Sequence, residues 1–178
     1  MLIREAVAGD GPALARVHLD AWIVGYAGLM PQGLLDATTL ERRTATWQLT
    51  LSRDRDPREN ILVAEVSGTP LGFAHVGPGR DADADGAGEL WALNVAPPQQ
   101  GNGLASNLVR AAHDVLHRGG FDKATLWVLT GNARARRFYE RHGWRTDGVA
   151  REETIRGFTV PELRYTLDLR PSDLSHCR

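Results

Sequence analysis

Hydrophobic and polar positions recur along this chain with two periods, and the switches between them mark out its elements. Leu2 to Val7 alternates weakly and predicts a first strand. From Asp10, placed to cap a helix, Leu14, Val17, His18, Ala21 and Trp22 recur at helical spacing until Gly25, Gly28 and Pro31 interrupt them. A second helical region is predicted from Pro31 to Leu51, with Leu34, Leu35, Leu40, Thr44, Trp47 and Leu51 as its apolar stripe. After a charged loop from Ser52 to Asn60, the apolar runs Ile61–Val66 and Leu71–Val76 flank Ser67-Gly68-Thr69-Pro70, the pattern of a hairpin. Glu89–Val95 and Thr125–Leu129 read as strands, and Val149–Ile155 and Val160–Leu169 as a final pair about Arg156-Gly157-Phe158. In the last of these, Leu163, Tyr165 and Leu167 alternate with Arg164, Thr166 and Asp168, which predicts one buried and one wetter face.

The strand Glu89–Val95 leads through Ala96-Pro97-Pro98-Gln99 into Gln100-Gly101-Asn102-Gly103-Leu104-Ala105, which opens a helix running to Arg118. Strand, glycine turn and helix start are the parts of a phosphate cradle. Glycines let backbone N–H groups approach a bulky anion, and the unpaired donors and positive dipole end of the helix attract it. A Walker loop would need Gly-Lys-Ser/Thr, and here Gly103 is followed by Leu104 and Ala105. A dinucleotide fingerprint would need a third glycine where Ser106 stands, and no Pro97-Pro98-Gln99-Gln100 between strand and turn. The pattern that remains is Gln/Arg-x-x-Gly-x-Gly/Ala, met by Gln100, Gly103 and Ala105. A second segment follows the strand at Thr125–Leu129: Asn132 is a good N-cap and Gly143 a good C′ residue, which bounds one short helix. Asn132, Ala135 and Tyr139 share a stripe of it, with Phe138 beside them.

Together the glycine turn and the run Asn-x-x-Ala-x-x-Phe-Tyr-x-x-x-Gly-aromatic resemble the acyl-coenzyme A signature of the GCN5-related N-acetyltransferase (GNAT) family. The resemblance is specific from Glu89 to Trp144. It implies an α/β (α+β) fold: a strongly twisted, mixed, mostly antiparallel sheet of about seven strands in chain order, flanked by about four helices. It implies transfer of the acetyl group of acetyl-coenzyme A to a primary amine by direct attack in a ternary complex. Gln100, Gly101, Asn102, Gly103, Leu104 and Ala105 would then hold the pyrophosphate. Leu93, Asn94 and Val95 would align the pantetheine arm, with the Val95 N–H donating to the acetyl oxygen, and Asn132 and Arg137 complete the cofactor side. Tyr139 would protonate the departing sulfur, and Glu89 is the candidate base, with a structural strand-end charge as its other reading. Trp22, Tyr26 and Trp91 are the candidate acceptor wall. A small amine is the expected acceptor: a polyamine, an amino-acid-like compound or an amine antibiotic. The alternatives are acetylation of ribosomal-protein amino termini, disfavoured because Leu129 stands where those enzymes carry glutamate, and a non-catalytic acyl-coenzyme A sensor.

Size and charge narrow this little further. The 178 residues suggest one domain, assigned to residues 1–170 with a polar tail at 171–178. A net charge of −1 supplies no field for nucleic acid or anionic lipid, so neither is an expected partner. The start Met1-Leu2-Ile3-Arg4-Glu5 has no signal-peptide pattern and no apolar run approaches ~20 residues, so a cytoplasmic location is expected. Cys177 is the single cysteine and allows no internal disulfide. Asp81, Asp83, Asp85 and Gly86 mimic a calcium loop, but its twelfth position is Ala92, so a solvated, mobile loop is expected instead. His113 and His117 are one helical turn apart without a third ligand, and project away from the side defined by Leu104, Leu108, Ala111 and Val115; no metal is expected. The alternating final strands offer an edge on which two copies can pair as a homodimer.

Overall fold

The computed structural model describes residues 1–170; the polar tail and Cys177 lie outside the described residues. Seven strands form one mixed sheet: β1 (Leu2–Glu5), β2 (Asn60–Val66), β3 (Thr69–Pro78), β4 (Gly88–Val95), β5 (Lys123–Leu129), β6 (Arg145–Ile155) and β7 (Phe158–Asp168). Neighbouring strands are antiparallel except β4 and β5, which are parallel. The order is β1-β2-β3-β4-β5-β7-β6, so the expected chain order holds only as far as β5. The inversion follows from apolar content. β7 buries Val160, Arg164 and Tyr165 and takes the inner place beside β5, whereas β6 has no buried residue and takes the edge.

Five helices flank the sheet: α1 (Gly11–Tyr26), α2 (Gln32–Asp36), α3 (Leu40–Ser52), α4 (Leu104–Arg118) and α5 (Ala133–Arg141). The single helical region expected from Pro31 to Leu51 is divided, because the Thr39 side chain accepts the Arg42 N–H at 3.3 Å and starts a new helix. Strand alternation sorts the two layers. Ile61, Val63 and Phe73 pack with Leu14 and Val17 of α1 and Trp47 of α3. Leu62, Ala74, Val76 and Leu90 pack with Leu108, Ala112 and Leu116 of α4 on the other face, where Ala135, Phe138 and Tyr139 of α5 also lie. A third cluster joins Met30 and Leu34 to Leu129 and Val160, and brings the ends of α1 and α2 over the β6–β7 hairpin.

The buried stripe of α4 runs Leu104, Leu108, Ala112, Leu116 with Val109, one position round from the expected stripe. His113 is therefore half-buried rather than solvent-facing: its Nε2 accepts the Trp144 indole N–H at 3.0 Å, and burial pushes its pKa down to about 4. The Asp81–Gly86 loop is likewise anchored. Asp81 accepts the Trp127 indole N–H at 2.9 Å, and Arg164 pairs with Asp83 at 2.7 Å and Asp147 at 2.8 Å. On the face of β7 expected to be wet, Arg164 is buried under this ion-paired loop, Thr166 is half-buried and Asp168 stays exposed. Among the described residues, no group of three or more His, Cys, Asp or Glu is placed to hold a metal ion, and no helix is long and apolar enough to cross a membrane.

Candidate active site

The site begins where β4 and β5 part. The two strands pair only at Gly88 with Ala124 and Glu89 with Thr125, and beyond that β4 continues with β3 alone. The Ala96 N–H donates to Leu71 O at 2.8 Å, so by antiparallel alternation Asn94 spends its backbone groups on Phe73. The N–H and C=O groups of Leu93 and Val95 point the other way, into the gap beside β5. They form an unpaired edge inside the sheet, able to bind an extended amide-bearing chain as a strand would. A bulge at Trp91, between the pairs Val76 with Leu90 and His75 with Ala92, re-aims β4 just before this edge.

After the one-turn 3-10 helix Pro97–Gln99, Gly101 and Gly103 adopt φ +88° and +79°. Both lie in the left-handed region, where any Cβ is strained. The turn aims the start of α4 at the gap, and no side chain caps it. Among the described residues, no protein acceptor meets the N–H groups of Gly101, Gly103, Leu104, Ala105 or Ser106. Five free donors at a helix N-terminus fit a diphosphate. Leu104 is buried and anchors the helix, while Gly101, Asn102 and Gly103 are exposed; Gln100 and Ala105 are half-buried. On the far wall the Asn132 side chain accepts the Ala135 N–H at 3.0 Å and caps α5, as expected. Arg137 is exposed on that helix, whereas Arg136 is engaged with the Tyr165 hydroxyl at 3.1 Å.

Tyr139 projects from α5 into the core side of the gap. Among the described residues its hydroxyl has no hydrogen-bond partner, and burial pushes its pKa up, with Tyr26 adding to the effect. Tyr26 ends α1 on the opposite face, packed with Trp22 against the cluster of Met30, Leu34, Leu129 and Val160. Burial raises the Tyr26 pKa as well, and Glu162 reinforces it. Tyr26 packs edge-to-face on Trp22 at 4.8 Å, and the Arg43 guanidinium lies over the Trp22 ring at 5.2 Å.

The two acidic groups near the gap differ in how they are held. Glu89 is 1% exposed, and both its oxygens are taken by Arg80: Oε2 accepts the backbone N–H at 2.9 Å and Oε1 the Nη2 at 2.5 Å. Arg80 also covers the Trp91 ring at 5.0 Å, and the Trp91 indole N–H donates to Pro78 O at 3.2 Å. Trp91 thus packs on β3 and the Arg80 arm. Glu162, on β7 opposite Leu129, accepts the Arg151 Nε–H at 2.9 Å on Oε2, and Nη2 of the same ion pair lies 2.8 Å from that oxygen. Its Oε1 has no partner among the described residues, and burial raises its pKa against the pull of Arg151. Glu162, Arg80 and Arg43 carry no motif of their own. Their place in the site depends on strand order and helix packing, and only the departure at Leu129 pointed near one of them.

The profile of the acetyltransferase (GNAT) family matches residues 26–144, from Tyr26 through both motifs to Trp144. The chain belongs to that family. A probable N-acetyltransferase of Mycobacterium tuberculosis is 28% identical over 166 residues, which cover 93% of this chain and 92% of its own. Among solved structures, an N-acetyltransferase from Staphylococcus aureus is similar with a TM-score of 0.72 at 21% identity, covering 95% of this chain and 98% of that one. The PaiA N-acetyltransferase from Thermoplasma acidophilum, solved with coenzyme A, gives a TM-score of 0.66 at 19% identity over 90% of this chain and 96% of that one. As a GNAT member the chain is an acyltransferase, and acetyl-coenzyme A is its co-substrate. The residues present suit that molecule: free N–H donors for its diphosphate, and an unpaired strand edge at Leu93 and Val95 for its amide-bearing arm.

Proposed function

We propose that this acetyltransferase acetylates the primary amine of a small molecule by direct attack within a ternary complex. The observation that supports it best is the β4–β5 gap itself, where the strands pair only at Gly88 and Glu89 and leave the Leu93 and Val95 edge open, with Tyr139 packed on the α4–α5 face and Tyr26 on the other. A coenzyme arm entering from the α4–α5 side and an amine entering from the α1 side meet there without a covalent enzyme intermediate. The Val95 N–H polarises the thioester carbonyl and stabilises the oxyanion. The amine nitrogen attacks the carbonyl carbon, the C–N bond forms and the C–S bond breaks. The electron pair moves to sulfur, which takes the Tyr139 proton as it leaves. Trp22 and Tyr26 line the amine side.

The amine must lose a proton, and the carboxylates divide the work. Glu89, with both oxygens bonded to Arg80, holds the Arg80 arm and the Trp91 bulge in position. Glu162, with one free oxygen and a raised pKa, is the better proton acceptor. Action on ribosomal-protein amino termini keeps one supporting observation: Glu162 stands in register with Leu129, beside the position where those enzymes carry their glutamate.

The test is thiol release from acetyl-coenzyme A against a panel of small amines and amino-terminal peptides, with coenzyme binding measured alongside. Turnover with small amines is the expected result. Turnover with peptides alone would favour the second reading, and tight coenzyme binding without turnover would favour a sensor.

A further inference from the structure

We propose that the acceptor carries a carboxylate as well as its amine, and that Arg43, Trp22 and His18 form the subsite that binds it. This rests on the reading of Tyr26 and Tyr139 as the reacting end of the pocket. Three buried side-chain polar atoms lack a hydrogen-bond partner among the described residues: His18 Nδ1, Trp22 Nε1 and Arg43 Nε. They are not scattered. His18 and Trp22 are one turn apart on α1, and Arg43, reaching across from α3, lies 5.2 Å over the Trp22 ring. A buried donor left unpaired costs about 1–3 kcal/mol, so two such donors and an unpaired imidazole nitrogen at one spot call for a ligand rich in acceptors.

The charges at this spot have the same requirement. Arg4, Arg53, Arg80, Arg151 and Arg164 each pair with a carboxylate, whereas Arg43 has none among the described residues. The charged side chain that acts on it is another cation, Arg156, whose guanidinium donates to the Ala37 carbonyl. Burial and the repulsion of Arg156 both push the Arg43 pKa down, with Tyr26 pulling the other way, and no carboxylate among the described residues pairs with the guanidinium. Burial also pushes the His18 pKa down to about 3, which leaves its imidazole neutral and adaptable as donor or acceptor. A polyamine would add positive charge to this corner. A carboxylate would satisfy Arg43 Nε and the Trp22 indole N–H together and neutralise the guanidinium. Two ring contacts, Arg43 on Trp22 and Trp22 on Tyr26 at 4.8 Å, separate this corner from the gap. That span suits the amine and carboxylate of one small molecule, with Glu162 at the amine end.

The experiment compares kcat/KM for the twenty amino acids, their carboxamides, the matching decarboxylated amines and spermidine, all with acetyl-coenzyme A. At least one amino acid should exceed its carboxamide and its decarboxylated amine by tenfold or more, and spermidine should be a poor acceptor. In Arg43→Gln that preference should fall toward one, mainly through KM, and Arg43→Lys should restore part of it. Equal or faster reaction of the carboxamides, the decarboxylated amines or spermidine overturns the carboxylate subsite while leaving amine acetylation intact. So does a preference that survives in an Arg43→Gln protein of wild-type melting temperature. Absence of thiol release with every amine removes the small-molecule reading, and this one with it.

Discussion

A phenol can serve as an acid only if it holds its proton until the sulfur needs it. Burial keeps the Tyr139 hydroxyl protonated across the working pH range, and it has no competing hydrogen bond among the described residues. Tyr139→Phe keeps the ring and removes the proton, so kcat should fall about a hundredfold with KM for acetyl-coenzyme A little changed. Stopped-turnover assays at saturating coenzyme check this; an unchanged kcat would mean that water protonates the thiolate. Glu162 makes a prediction of the opposite kind, in pH rather than rate alone. A carboxylate with a raised pKa accepts a proton only once pH exceeds that value, so the rate should climb with pH on the acid side. Glu162→Gln should lower the rate and flatten that limb, whereas Glu89→Gln, which only loosens Arg80, should lower the rate and keep it. The reverse pattern would return the base role to Glu89.

At the scale of elements, the strand, turn and helix proposed to hold the coenzyme were legible because local chemistry alone shapes them. Gly101 and Gly103 stand where φ is positive, Asn132 caps α5 and Gly143, at φ +87°, ends it. What could not be read locally depends on a neighbouring element. The Trp91 bulge exists because β4 must match β3, and Gly77 exists for Trp91: a Cβ there would lie 2.6 Å from the indole. Gly77→Ala should therefore displace Trp91 and the Arg80 arm over it, lowering both melting temperature and activity. Gly103→Ala differs, because a Cβ there meets open space and only the backbone is strained. It should cost about 1–2 kcal/mol of stability and raise KM for acetyl-coenzyme A several-fold, with kcat less affected. Thermal melts paired with coenzyme titrations separate the two cases. A Gly103→Ala enzyme with unaltered coenzyme affinity would show that the turn does not hold the diphosphate.

For the whole molecule, the sheet order and the placing of charged loops lay beyond the sequence, since both are settled by competition between distant segments for the inner positions. β7 wins the place beside β5, and the aspartate loop comes down on its Arg164, which period-two patterning reads simply as a wet face. The same long-range packing sets the response to acid. His18 and His113 are driven below the ordinary histidine value of ~6.5, to about 3 and about 4, chiefly by burial; Arg43 and His75 add to the first, His142 adds to the second and Asp114 opposes it. Between ~6.5 and those values the unfolded chain takes up protons that the native chain refuses, so stability falls as pH is lowered through that range. The slope can approach about 1.4 kcal/mol per pH unit for His18 and is smaller for the less buried His113. Glu162 works in the opposite sense, since its raised pKa lets the native state bind a proton before the unfolded one does, but it is a single group. Melting temperature should therefore drop from pH 7 to pH 4. His113→Gln, which keeps an acceptor for the Trp144 indole and cannot titrate, should make that drop shallower, and a pH series of thermal melts on both proteins decides it. Parallel curves would mean that His113 is protonated in the native state, and that its bond to Trp144 is lost before the fold is.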